Sequence, residues 1–324
     1  MKRKRRYEFV TSPFFLGLFL VLYFVSAIYL PVENSERWIP ALIGFVDLES
    51  ISRSLSITLA TVFILLTSIS LYIFNERNLM IGQRGILFPI VYLIFAITTP
   101  KSIFFSGVSV ASLFIVWSLY YTIFSKKGDT EMFISGFLIS LAALFDPHVT
   151  LLFPLIIFFA LRSAVVTARA VVIVLVSILI PFAFMLSFRY LFFQDALFFI
   201  EIFISDLTSI DYPSLNLKNV SDIVVILSFF LYLLFAVSYV FNNMSRYKIL
   251  KSHSFSRFMS LLLFCLLIVL FYPQSGEGLT QIIAIPVSVL VLEYVNSPEE
   301  TAKKRVGFLL VLIFLVINRI SCFI

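Results

Sequence analysis

A chain of 324 residues that is 61% hydrophobic and 13% charged, with a mean hydropathy of +1.06, lacks the composition of soluble domains. Those run about 45–50% apolar and 25% charged. The net charge of +6 does not mark a nucleic-acid surface, because the basic residues are scattered between apolar runs as positive-inside topology requires. Two cysteines, Cys265 inside an apolar run and Cys322 near the C-terminus, supply neither a disulfide framework nor a thiol metal site.

The basic cluster Met1–Glu8 stands directly before the apolar run Phe14–Val32. It reads as a retained span with its N-terminus inside; cleavage near Val25-Ser26-Ala27 is the weaker alternative. Ten more apolar runs follow: Ser56–Phe74, Ile86–Thr99, Ile103–Phe124, Phe133–Phe145, Val149–Leu161, Ala170–Phe193, Ile223–Phe241, Phe258–Tyr272, Leu279–Val295 and Val306–Asn318. The expectation is an all-α polytopic bundle of about eleven transmembrane helices in one integral membrane domain, C-terminus outside. Within it, 14–193 forms a core with short hairpins, and 194–324 adds an outer amphipathic loop and four spans. Alternating sides puts eighteen of the 24 lysines and arginines inside. Outside are only Arg37, Arg53, Lys101, Arg189, Lys218 and Arg319, and a miscounted span would scramble that bias.

Two outer loops are long enough to carry structure. Glu33–Leu55 spaces Ile39, Leu42, Ile43, Val46 and Ile51 on one face, with Asp47 and Glu49 between them. Gln194–Asn219 sets Phe198, Phe199, Ile202 and Phe203 against Asp195, Glu201 and Asp206. Both predict interfacial helices, over 39–54 and 195–206, lying flat as a roof on the outer face. Asn242–Arg257, which contains His253, reads as a solvated inner loop.

Two pairs of short runs turn on the outer side, at Thr99-Pro100-Lys101 and at Asp146-Pro147-His148. Proline removes an N–H and biases the residue before it away from the helical region, so each run stops there. Phe133–Phe145 is thirteen residues, about 20 Å of helix against roughly 30 Å of hydrocarbon. Unless the helix is tilted or extends past Thr130, that places an acidic, His-bearing tip below the membrane surface, where ionisable groups are costly and usually functional. The bland reading of the same turn is Asp146 capping the second helix.

The segment Gly136-Phe137-Leu138-Ile139-Ser140-Leu141-Ala142, followed by Asp146-Pro147-His148, resembles the hairpins of GT-C type integral-membrane glycosyltransferases. The resemblance covers residues 14–190 and implies an outer-face transferase using a polyprenyl-phosphate-linked sugar. It also implies a catalytic carboxylate in the first outer loop, with Glu33, Glu36 or Asp47 as the counterpart. The chain departs from that pattern in carrying acidic Asp146 where those enzymes place a basic residue. The whole chain, including YPQSGEGLTQIIAIPVSVLVLEYV, more closely resembles an uncharacterised family of multi-spanning bacterial envelope proteins.

The candidate catalytic residues are therefore Asp146, His148, Asp47, Glu33 and Glu36. Lys101, Arg189 and Arg37 are the cations for a phosphate headgroup, with snorkelling as the bland alternative. One histidine on the outer side gives no metal ligand set, and no cofactor is assigned. Three readings stay open: a lipid-linked transferase of the bacterial inner membrane, a non-catalytic subunit of an envelope assembly or secretion complex, and a lipid or small-solute transporter. The partners expected are membrane lipids, a polyprenyl-phosphate carrier and envelope proteins, and no nucleic acid.

Overall fold

A computed structural model describes residues 11–29, 52–78, 85–123, 128–162, 168–194, 196–208, 220–272, 276–297 and 301–321. Within them lie twelve α-helices and no strand. These are α1 (Pro13–Ile28), α2 (Arg53–Asn78), α3 (Leu87–Ala96), α4 (Gly107–Ile123), α5 (Asp129–Phe145) and α6 (Phe153–Arg162). They continue as α7 (Ala168–Phe192), α8 (Ala196–Thr208), α9 (Val220–Asn242), α10 (Ile249–Phe271), α11 (Gly276–Asn296) and α12 (Thr301–Ser321). Four helical stretches are long and apolar enough to cross a membrane: Arg53–Arg77, Arg169–Phe192, Ile249–Phe271 and Leu279–Asn296.

α11 is the axis of the bundle. Of its apolar stretch 72% is buried, against 28–39% for the other three. It packs on α3, α4, α9, α10 and α12, so the C-terminal part of the chain is threaded into the N-terminal part. The exposed sides of α7 and α9 carry Leu179, Phe184, Leu191, Leu227 and Phe235. Such faces are expected where the surroundings are acyl chains instead of water.

Small and hydroxylated residues make the helix contacts in the interior. On α5, Gly136 and Ser140 lie one turn apart and face α7: Ser140 Oγ donates to Ile178 O at 2.6 Å. A β-carbon at position 136 would stand 1.9 Å from Ser177 Oγ, so only glycine permits this approach. On its other flank α5 meets α4 through Ser135 and Ser118, whose Oγ donates to Ser135 O at 3.0 Å. Close backbone packing with hydroxyl bonds is how helices associate where the hydrophobic effect gives no drive between them. The Gly136…Ser140 pattern that carried the transferase resemblance thus has a packing role.

Several expectations change. α5 begins at Asp129, so the first arm of the hairpin has 17 residues, about 25 Å long. Its acidic start at Asp129 and Glu131 favours the helix N-terminus and lets it extend. The second arm is a 3-10 turn, Pro147–Leu152, before α6. Ile103 belongs to a 3-10 turn, Pro100–Ile103, and α4 starts only at Gly107. His253 is not in a loop, since α10 starts at Ile249 and carries it on an exposed face. Arg53 and Ser54 open α2 and are not part of an interfacial helix; 39–51 lies outside the described residues.

The helix expected over 195–206 exists as α8, with Glu201 exposed. Its inner face turns to the protein, however. Phe199 is buried and packs with Leu144 of α5 and Met185 of α7, and α8 also lies against the 3-10 turn after Asp146.

Candidate functional site

Hydrogen bonds define two ends of the bundle. At one end, called here the tip end, lie both proline turns, the C-terminal ends of α1, α7, α10 and α12, and the start of α2. The opposite, base end holds the Lys251–Glu293 ion pair, with Nζ at 2.9 Å from both carboxylate oxygens. It also holds Lys304, which donates to Ser297 Oγ and lies over the rings of Tyr239 and Tyr294. Burial raises the pKa of the Tyr247 phenol there, and the neighbouring Glu293 adds to the rise.

The Asp146 tip is built locally. The backbone of Asp146 is extended, as a residue before proline prefers, and its carboxylate accepts from His148 N–H at 3.0 Å. That is the capping role, which satisfies one backbone donor that the turn would otherwise strand. The same Oδ1 lies 3.2 Å from His148 Nδ1. With the Nδ1 proton directed at the carboxylate, Nε2 carries the lone pair. Asp146 and His148 are 3% and 4% exposed, and Tyr272 at the end of α10 meets the imidazole edge-on at 5.8 Å.

Arg189 lies in the last turn of α7 and is also buried, its guanidinium 5.3 Å from the centre of the Phe199 ring. Phe199 shares an apolar cluster with Leu144, two residues before Asp146, so Arg189 joins the Asp146 tip through α8. Lys101 sits in the other turn, Pro100–Ile103. Glu33, Glu36, Arg37 and Asp47 lie outside the described residues.

Around the Pro100 turn the structure gathers polar groups that no motif announced. Tyr23 Oη donates to Thr98 O at 3.1 Å, and Arg319 Nη2 donates to Ile97 O at 2.9 Å. Gln281 Nε2 reaches Ser102 O at 2.9 Å and Ser109 Oγ at 3.2 Å. Thr280 Oγ1 stands 3.4 Å from Thr99 Oγ1. Tyr272 at the end of α10 touches His148, and Thr280 near the start of α11 touches Thr99, so α10 meets one tip and α11 the other. Contacts so distant along the chain have no local signal; only the arginine's place in a mostly apolar C-terminal run hinted at them. No group of three or more His, Cys, Asp or Glu that could hold a metal ion occurs among the described residues.

The model of a family of unknown function, DUF6427, matches residues 38–323. No curated protein and no solved structure matches the chain. The likeness to GT-C enzymes finds no counterpart in these comparisons. With the match running over nearly the whole sequence, the chain belongs to the family of unknown function DUF6427.

Proposed function

We propose that this chain is an eleven-span protein of a bacterial cytoplasmic membrane, N-terminus inside, whose tip end transfers a sugar from a polyprenyl phosphate at the outer face. The observation that carries this reading is the His148 imidazole held 3.2 Å from the buried Asp146 carboxylate at the apex of a helical hairpin. Ionisable groups kept at such a place are costly and are usually retained for chemistry. In the transfer, the acceptor oxygen forms a bond to the sugar while the sugar–phosphate bond breaks and the polyprenyl phosphate leaves. Nε2 of an Asp-oriented imidazole takes the acceptor's hydroxyl proton, a general-base role. Asp146 orients and caps in this scheme, and Arg189 is the cation for the phosphate.

Charge supports the orientation. Among the described residues Arg77, Arg162, Arg169, Arg246, Lys248, Lys251, Arg257, Lys303, Lys304 and Arg305 belong to the base end, whereas only Arg53, Lys101, Arg189 and Arg319 belong to the tip end. A basic base end and a sparse tip end suit a base facing the cytoplasm.

A second reading, a non-catalytic subunit of an envelope complex, has its own observation in favour. Asp146 is satisfied as a cap and His148 is packed against Tyr272, as in a structural turn. Complementation of a null strain separates the two. The transferase reading expects His148→Ala to abolish function with normal membrane levels of protein. Full complementation by both His148→Ala and Asp146→Asn ends that reading and leaves the subunit.

A further inference from the structure

Arg319 is the most deeply buried cation among the described residues. It is 3% exposed, in the last turn of α12, and takes part in no ion pair among the described residues. One Nη2 hydrogen goes to Ile97 O at 2.9 Å, and the guanidinium lies over the Tyr23 ring at 4.3 Å from its centre. Among the described residues Nε and Nη1 have no hydrogen-bond partner.

A guanidinium has five N–H donors in a planar fork with two bidentate edges, Nε with Nη2 and Nη1 with Nη2. A carbonyl on one Nη2 hydrogen occupies a single edge, so the other edge keeps both parallel donors whichever edge Ile97 uses. The aromatic face offsets part of the cost of burying the charge, but it satisfies no N–H. A buried, uncompensated charge with an intact two-donor edge matches the geometry of a phosphate or carboxylate oxygen pair. A second unsatisfied group flanks the same turn: Gln281 Oε1, on a residue 1% exposed, has no donor among the described residues, while its Nε2 is fixed on Ser102 O. A donor edge and an acceptor around one short turn suit a phosphate monoester, which offers oxygens and, when singly protonated, a P–OH.

We propose that Arg319 is the centre of an anion site at the Pro100 turn that binds a phosphate monoester, carried on a lipid headgroup or free in solution. Tyr23 and the Ile97 carbonyl hold the guanidinium in place, and Gln281 accepts from the monoester hydroxyl. This site does not rest on the transferase reading, and its centre lies on α12, α1 and α3, not on the Asp146 hairpin.

The test uses the full chain in a maltoside detergent, which carries no phosphate, with dioctanoyl phosphatidic acid and inorganic phosphate as separate probes. Thermal unfolding and lipid retention in native mass spectrometry are the readouts. Wild type is expected to be stabilised by phosphatidic acid, and Arg319→Gln to bind it about tenfold more weakly or worse, as loss of charge-assisted hydrogen bonds implies. Stabilisation by inorganic phosphate as well assigns the site to the phosphate group alone; response to phosphatidic acid only assigns it to a lipid headgroup. If Arg319→Gln does not fold, Arg319→Lys decides, since it keeps the charge and loses the fork; weakened binding supports the site and unchanged binding overturns it. A wild type indifferent to both probes overturns the proposal without any variant, and so does an Arg319→Gln protein that responds like wild type.

Discussion

Gly136 of α5 meets Ser177 of α7 at a distance no side chain fits: a β-carbon there would lie 1.9 Å from Ser177 Oγ and 3.2 Å from the Val174 carbonyl oxygen. The hydroxyl itself is committed, donating to Val174 O at 2.7 Å. This contact sets how closely the Asp146 hairpin lies against α7, and therefore where Arg189 and His148 stand relative to each other.

Gly136→Ala should destabilise the protein by about 1–3 kcal/mol, the usual cost of overpacking a well-packed interior. Adding Ser177→Ala removes the nearest clashing atom and should restore part of the loss. Thermal unfolding of the two single variants and the double variant in detergent checks this. An additive double variant would mean that the two residues are not in contact.

Asp146→Asn and Asp146→Ala should separate capping from charge. Asparagine keeps an acceptor for the His148 N–H and should be close to wild type in stability, whereas alanine should lose about 0.5–2 kcal/mol. Function follows a different order under the transferase reading, with asparagine failing because the imidazole loses its charged partner. Unfolding midpoints set beside complementation give the answer, and equal stability of the two variants would argue against the cap.

At the base end, Glu293→Gln leaves Lys251 without its partner while Lys251 remains largely buried over the Tyr247 and Phe255 rings. A cost of roughly 1–3 kcal/mol is expected, between that of a surface pair and that of a fully buried one. Pairing Glu293→Gln with Lys251→Met should recover part of it. A coupling near zero in the double-mutant cycle would show the pair to be incidental.

Orientation is open to a direct test. Alkaline phosphatase fused after Thr99 should be active, and fusions after Arg84, Lys127 and Lys304 inactive, because eighteen of 24 basic residues fall on the inner side in the eleven-span count. Activity at Lys127 or Lys304 would overturn that count.

The apolar runs and the proline turns were legible in the sequence because both are local properties. A run of apolar residues makes a helix in any apolar surrounding, and Pro147 and Pro100 end helices through their own rings. The capping role of Asp146 was legible for the same reason, since its partner is two residues away. What the helices do with their faces was not. A helix apolar all round has no polar side to mark which face meets lipid and which meets protein. Phe199 thus reads like its neighbour Phe198, yet one is buried on Leu144 and the other exposed. Tyr272 on His148, Arg319 on Ile97 and Gln281 on Ser102 join residues more than a hundred positions apart. Only the threading of α11 through the middle of the bundle, decided by packing, surrounds the Pro100 turn with polar groups from α11.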